Sequence, residues 1–207
     1  MDMMRFELQR SAPGGLLPAP RRGGMTRMDN LQPRFLGLAA RTMVAHTITY
    51  IFMGILASTL LDYKTSFARP ELACWMRQLN DPWLMAGPLF QPIRGLIFAL
   101  VFYPLRESLF GKKNGWLMMS WMLVALGILS TFGPAPGSIE GMIYTKLPIL
   151  GQMIGWLEVV PQAFLLSAIL YYWVNRPEKK WLNWTLGVVF ILLMAMLVTG
   201  TMVQRPH

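Results

Sequence analysis

Two residues of opposite charge fall where this apolar chain has least use for them: Arg94 in "QPIRGLIFAL" and Glu158 in "GQMIGWLEVVPQAF". An ionised side chain in hydrocarbon costs on the order of 3 kcal/mol, so each must face a partner, a wet cavity or a ligand. Glu158 shares a helical face with Gly151, Gly155 and Gln162. Gly151 and Gly155 have the G-x-x-x-G spacing that lets two helices approach closely, so this face is expected at a helix–helix contact. Gly87, Gln91, Arg94 and Gly95 fall along one face of another apolar run. Counted from the starts of their runs, both charges lie roughly 13 to 15 Å deep at about 1.5 Å per residue. Arg94 and Glu158 are therefore expected to meet near the midplane, as an ion pair or across a wet cavity. Pro161 removes a backbone donor beside them and disturbs the turn carrying Leu157 and Glu158.

A third stripe, His46, Tyr50 and Gly54, has i, i+4, i+8 spacing and is expected to face the same interior. His46 is expected near the inner end of its span as a satisfied interior histidine, with Tyr50 or water needed to relay a proton to Glu158. The binding candidates are thus Arg94, Glu158, Gln91, Gln162, His46 and Tyr50. Gly151, Gly155, Gly54 and Gly95 are the candidates for helix packing.

No catalytic residue is assigned, because the chain contains no H-E-x-x-H, G-x-S-x-G or Walker loop and no paired acidic motif within a span. One cysteine and two histidines exclude a thiolate cluster within the chain and leave little scope for bis-histidine haem. The seventeen methionines read as apolar filler. No metal and no cofactor is expected.

These residues must be positioned by membrane helices, since 54% of the 207 residues are hydrophobic, 14% are charged, and several apolar runs reach bilayer length. The expected fold is all-α: a polytopic transmembrane helix bundle occupying residues 35–204. Its five spans are predicted over about 42–61, 85–105, 116–132, 147–174 and 181–203, with no strands. Residues 1–34 read as a disordered basic tail in which Met25 or Met28 is a candidate start. "RPELACWMRQLNDP" is expected to form a short outer amphipathic helix near 70–80, and Ser138 is a candidate helix cap.

The net charge of +9 would suggest nucleic acid in a soluble domain. Here the Lys and Arg residues lie in the tail and between the apolar runs, where they set topology, so no nucleic-acid partner is expected. Of nineteen Lys and Arg residues, thirteen fall on one side of the predicted spans and five on the other, Arg94 being the remainder. The rule that cationic loops stay inside then places the N-terminus inside and the C-terminus outside.

Three functions fit this reading. The first is a non-catalytic accessory or binding subunit of a larger membrane assembly, using the charged pair for packing or lipid recognition. The second is a small transporter or proton-coupled carrier built on Arg94 and Glu158. The third is a lipid-modifying enzyme at the outer boundary, drawing on Asp62, Asp81, Glu140 or Glu158 with Arg69, Arg77 or Arg94 for phosphate. The expected partners are membrane lipid and a membrane protein or second copy of the chain, in the plasma (inner) membrane.

Overall fold

In a computed structural model, residues 33–203 are described, Trp75 and the side chain of Val203 excepted. All but the last two residues of the expected tail lie outside this range. Regular structure among the described residues is helical throughout. Four helices are long and apolar enough to cross a membrane: Phe35–Leu60, Pro82–Phe102, Ile149–Asn175 and Lys180–Met202. The remaining apolar helix, Gly115–Leu129, is shorter.

α1 (Phe35–Leu60) is the central helix, packed against α5, α10 and α11, with buried residues from Leu38 to Ala57. Hydroxyls in so apolar a helix are satisfied locally: Thr42, Thr47 and Thr49 donate to the carbonyls of Leu38, Met43 and Ala45 at 2.8, 2.8 and 2.9 Å. It ends where Asp62 turns left-handed (φ 41°) and caps the next short helix by accepting from the Thr65 amide at 3.3 Å. That helix is α2 (Tyr63–Phe67), followed by α3 (Pro70–Ala73). The amphipathic helix expected near 70–80 is thus a single turn. The segment instead closes with the Arg77–Asp81 ion pair at 2.8 Å, and Asp81 also caps the following helix through the Trp83 amide.

The second long helix comes in pieces because prolines interrupt its hydrogen-bond ladder. α4 (Pro82–Ala86) passes through a 3₁₀ turn at Gly87–Phe90 into α5 (Gln91–Phe102), and neither Pro88 nor Pro92 can donate a backbone N–H. α5 lies hard against α1. A Cβ added to Gly95 would come within 2.6 Å of the Met43 Cα, so that glycine sets the closest approach of the two helices.

After α6 (Arg106–Phe110), α7 (Gly115–Val124) runs into a π-helical segment at Ala125–Leu129 and stops at Ser130. The chain then makes α8 (Ile139–Tyr144), which Ser138 caps by accepting from the Gly141 amide at 2.9 Å. Next come α9 (Ile149–Ile154) and α10 (Trp156–Asn175), separated at Gly155, and finally α11 (Lys180–Val203). α10 packs on α1 and α7, whereas α11 leans on α1 and α4 and its backbone hardly approaches that of α10. The two are tied at their adjoining ends, where Trp173 Nε1 donates to Asn183 Oδ1 at 2.6 Å.

The packed core occupies this same end of the bundle. Leu38, Phe102, Leu109, Met119, Leu170 and Val174 form one cluster, and Ala45, Leu166, Trp173 and Leu182 a second. Toward the other end the helices separate.

Candidate functional site

The space left by that separation is a cavity of about 820 Å³, walled by α1, the α4–α5 helix, the π segment, α10 and α11. Its surface is mostly apolar, but His46, Tyr50, Tyr63, Arg94, Glu158 and Gln162 all reach it. Five of the six expected binding residues therefore meet in one place. The sixth, Gln91, stands behind His46 and is 8% exposed.

Each polar group has an identifiable environment. His46 lies near the middle of the 26-residue α1. Its Nε2 lies 3.1 Å from Gln91 Oε1, and Gln91 Nε2 donates to the Gly87 carbonyl at 3.3 Å. With Gln91 Oε1 as acceptor, Nε2 carries the imidazole proton. Phe98 packs edge-on against the His46 ring at 4.9 Å, and the Arg94 guanidinium lies 5.6 Å from the centre of that same phenyl ring. This geometry allows a cation–π contact.

The direct Arg94–Glu158 ion pair is not formed. Among the described residues the ion pairs are Arg77–Asp81 at 2.8 Å and Arg176–Glu178 at 3.8 Å. Glu158 Oε2 instead accepts a hydrogen bond from the hydroxyl of Tyr63, while Oε1 lies 3.8 Å from where a Gly54 Cβ would stand. A Cβ there would make only ordinary van der Waals contact with the carboxylate and would meet no other helix within 4 Å, so Gly54 does not set the helix packing expected of it. Arg94 is exposed to the cavity with its charge unmatched by any described carboxylate.

Gly151 and Gly155 also differ from expectation. Both are exposed; a Cβ at Gly151 would meet nothing within 4 Å, and one at Gly155 only the Gln152 carbonyl of the preceding turn. Within the described chain this G-x-x-x-G face packs on no other helix, since Gly155 sits at the break between α9 and α10. Gly95 does pack as expected.

Two residues that matter here were not singled out as site candidates. Tyr63 lies beyond a left-handed turn, where no periodicity links it to Glu158. Burial raises its hydroxyl above the ordinary tyrosine range, and the hydrogen bond to Glu158 and that residue's charge raise it further. Gln152, 5% exposed, stitches the 133–148 connection together. Its Oε1 accepts from the Gly137 amide at 3.2 Å, and its Nε2 donates to the Leu147 carbonyl at 2.9 Å and the Gly141 carbonyl at 3.3 Å. Trp156 Nε1 adds a bond to the Gly137 carbonyl at 2.8 Å. This fastening holds Ala135 and Pro136 in the cavity wall.

No family model, curated protein or solved structure matches this chain.

Proposed function

We propose that the protein is a non-catalytic membrane subunit that holds an amphipathic ligand in the cavity between its helices, as a component of a larger assembly in the plasma (inner) membrane. In this reading all five apolar helices cross, with the N-terminus inside and the cavity in the outer half of the bilayer. One observation carries the proposal: about 820 Å³ of space, apolar over most of its wall, into which Arg94 and Glu158 project without pairing with each other. Ligand cavities of ordinary size run from about 300 to 1,000 Å³ and combine apolar walls with a few convergent polar groups. A purely structural ion pair would be closed, because in a medium of low dielectric an unmet charge costs more than the pair itself stabilises. Keeping the charges apart makes sense where a third component completes them.

The test is extraction of the purified protein from mild detergent, with its organic-soluble content measured per mole of protein. The parent is expected to retain an amphiphile near one equivalent, and Arg94→Leu to retain less than a tenth of that. Equal content in the parent and in Arg94→Leu overturns the reading.

A further inference from the structure

The two unmatched charges lie at different depths along α1, and this separation specifies what can bridge them. Arg94 lies over Phe98, which packs on His46, and the cation is taken at about the His46 level of α1. Glu158 Oε1 lies beside Gly54. His46 and Gly54 are two turns apart on one face, about 12 Å along the axis at about 1.5 Å per residue. Subtracting a charge-assisted contact at each end, roughly 3 to 4 Å between charge centres, leaves about 5 Å for the ligand's own charges. Phosphorus and nitrogen joined through oxygen and two carbons are about 5 Å apart when extended, with bonds near 1.5 Å.

From this, and resting on the reading that the cavity holds an amphiphile, we infer that its occupant is a zwitterionic phospholipid with a primary-ammonium headgroup, the phosphate on Arg94 and the ammonium on Glu158. The acyl chains lie along the apolar wall, where Leu123, Ile128 and Met196 line the space and α10 and α11 stand apart.

Alternatives fit the charges less well. A purely anionic headgroup would satisfy Arg94 but set a second negative charge about 8 Å from Glu158, a repulsion that weakens binding roughly thirtyfold at an effective dielectric near 20. A quaternary ammonium cannot donate hydrogen bonds and is held by open aromatic boxes. The rings beside Glu158, Tyr63 and Phe67, are stacked on each other at 5.1 Å and 17° and form no such box. A primary ammonium can donate to Glu158 Oε1, which has no hydrogen-bond donor among the described residues.

The experiment is native mass spectrometry of the full chain in mixed micelles containing equal amounts of phosphatidylethanolamine, phosphatidylcholine and phosphatidylglycerol. The expected parent result is at least tenfold preference for phosphatidylethanolamine. Glu158→Gln removes the negative charge and should shift the preference to phosphatidylglycerol by tenfold or more. Tyr63→Phe frees the carboxylate from its competing donor, so it should sharpen the preference for phosphatidylethanolamine; it also serves if Glu158→Gln fails to fold. Millimolar O-phosphoethanolamine should displace none of the lipid. Equal retention of the three lipids, an unchanged preference in Glu158→Gln, a weakened one in Tyr63→Phe, or displacement by the soluble headgroup overturns the inference. A non-phospholipid amphiphile in the parent overturns it while leaving the cavity's binding role intact, whereas an empty parent removes both.

Discussion

Glu158 and Arg94 stand out in the sequence for the same reason that they matter in the structure: charge in an apolar run must be answered by something. What answers Glu158 could not be read from spacing. Its donor, Tyr63, follows the left-handed Asp62, and a chain reversal erases the helical register on which stripe arguments depend. The bond has a pH signature. Because burial first, and the Glu158 bond next, raise the Tyr63 hydroxyl, the folded protein holds that proton more tightly than the unfolded chain does. The associated stability is complete below the ordinary tyrosine value near 10 and is lost as pH climbs above it. Melting curves in detergent between pH 7 and 11 should therefore show a steeper alkaline decline for the parent than for Tyr63→Phe. At pH 7 the variant should lose about 1.5 to 3 kcal/mol, typical of a hydrogen bond to a charged group. Parallel pH curves for the two proteins would remove the Tyr63–Glu158 bond from the account.

At the scale of elements, apolar run length located the long helices but not their internal breaks. The α4–α5 helix and the α9–α10 helix each occupy one predicted span, yet the first contains a 3₁₀ turn and the second a break at Gly155. The first interruption follows local backbone chemistry, prolines that cannot donate, which hydropathy does not weigh, whereas Gly155 keeps ordinary right-handed helical angles (φ −59°, ψ −24°). The small-residue stripes divide in an informative way. G-x-x-x-G spacing at Gly151 and Gly155 led to no close approach, while Gly95, which lacks that pairing, lies against the Met43 backbone. Spacing states that two helices could approach; only the neighbour's position decides whether they do. Gly95→Ala should thus destabilise the bundle by about 1 to 3 kcal/mol, the usual cost of overpacking, since the obstructing atoms are backbone and cannot rotate away. Gly151→Ala, at an exposed helical position with nothing near, should be neutral or stabilise by up to about 1 kcal/mol. Thermal unfolding of the two variants in one detergent checks both, and a reversed order would contradict this packing of α1 on α5.

For the whole molecule, the decisive element is the shortest apolar helix. Residues 115–129 span roughly 22 Å at about 1.5 Å per residue, against a hydrocarbon core near 30 Å, so length alone leaves its crossing open. The proposed topology has it cross, and its neighbours support that reading. Before it, the Lys112 carbonyl accepts from the Tyr171 hydroxyl at 2.9 Å, near the end of α10 that leads to Arg176 and Lys179. After it, Thr131, Ala135 and Pro136 line the cavity together with Phe67 and Leu79 from the connection between the first two long helices. In the proposed topology the helix joins the two ends of the bundle, and a locally thinned bilayer would accommodate its length. The sole cysteine offers a direct check, since Cys74 is exposed in the 61–81 connection. On the proposed topology a membrane-impermeant maleimide added to intact cells should label Cys74. In a Cys74→Ser background it should also label Lys146→Cys, but label Lys113→Cys only after permeabilisation. Labelling of Lys113→Cys alone in intact cells would reverse the orientation. Labelling of Cys74 without Lys146→Cys would show that residues 115–129 do not cross, and the cavity would then lose the wall formed by Thr131 and Pro136. The charge count along the sequence yields an expected orientation because it depends only on which loops are basic; it could not supply this wall, which depends on two distant connections arriving at the same cavity.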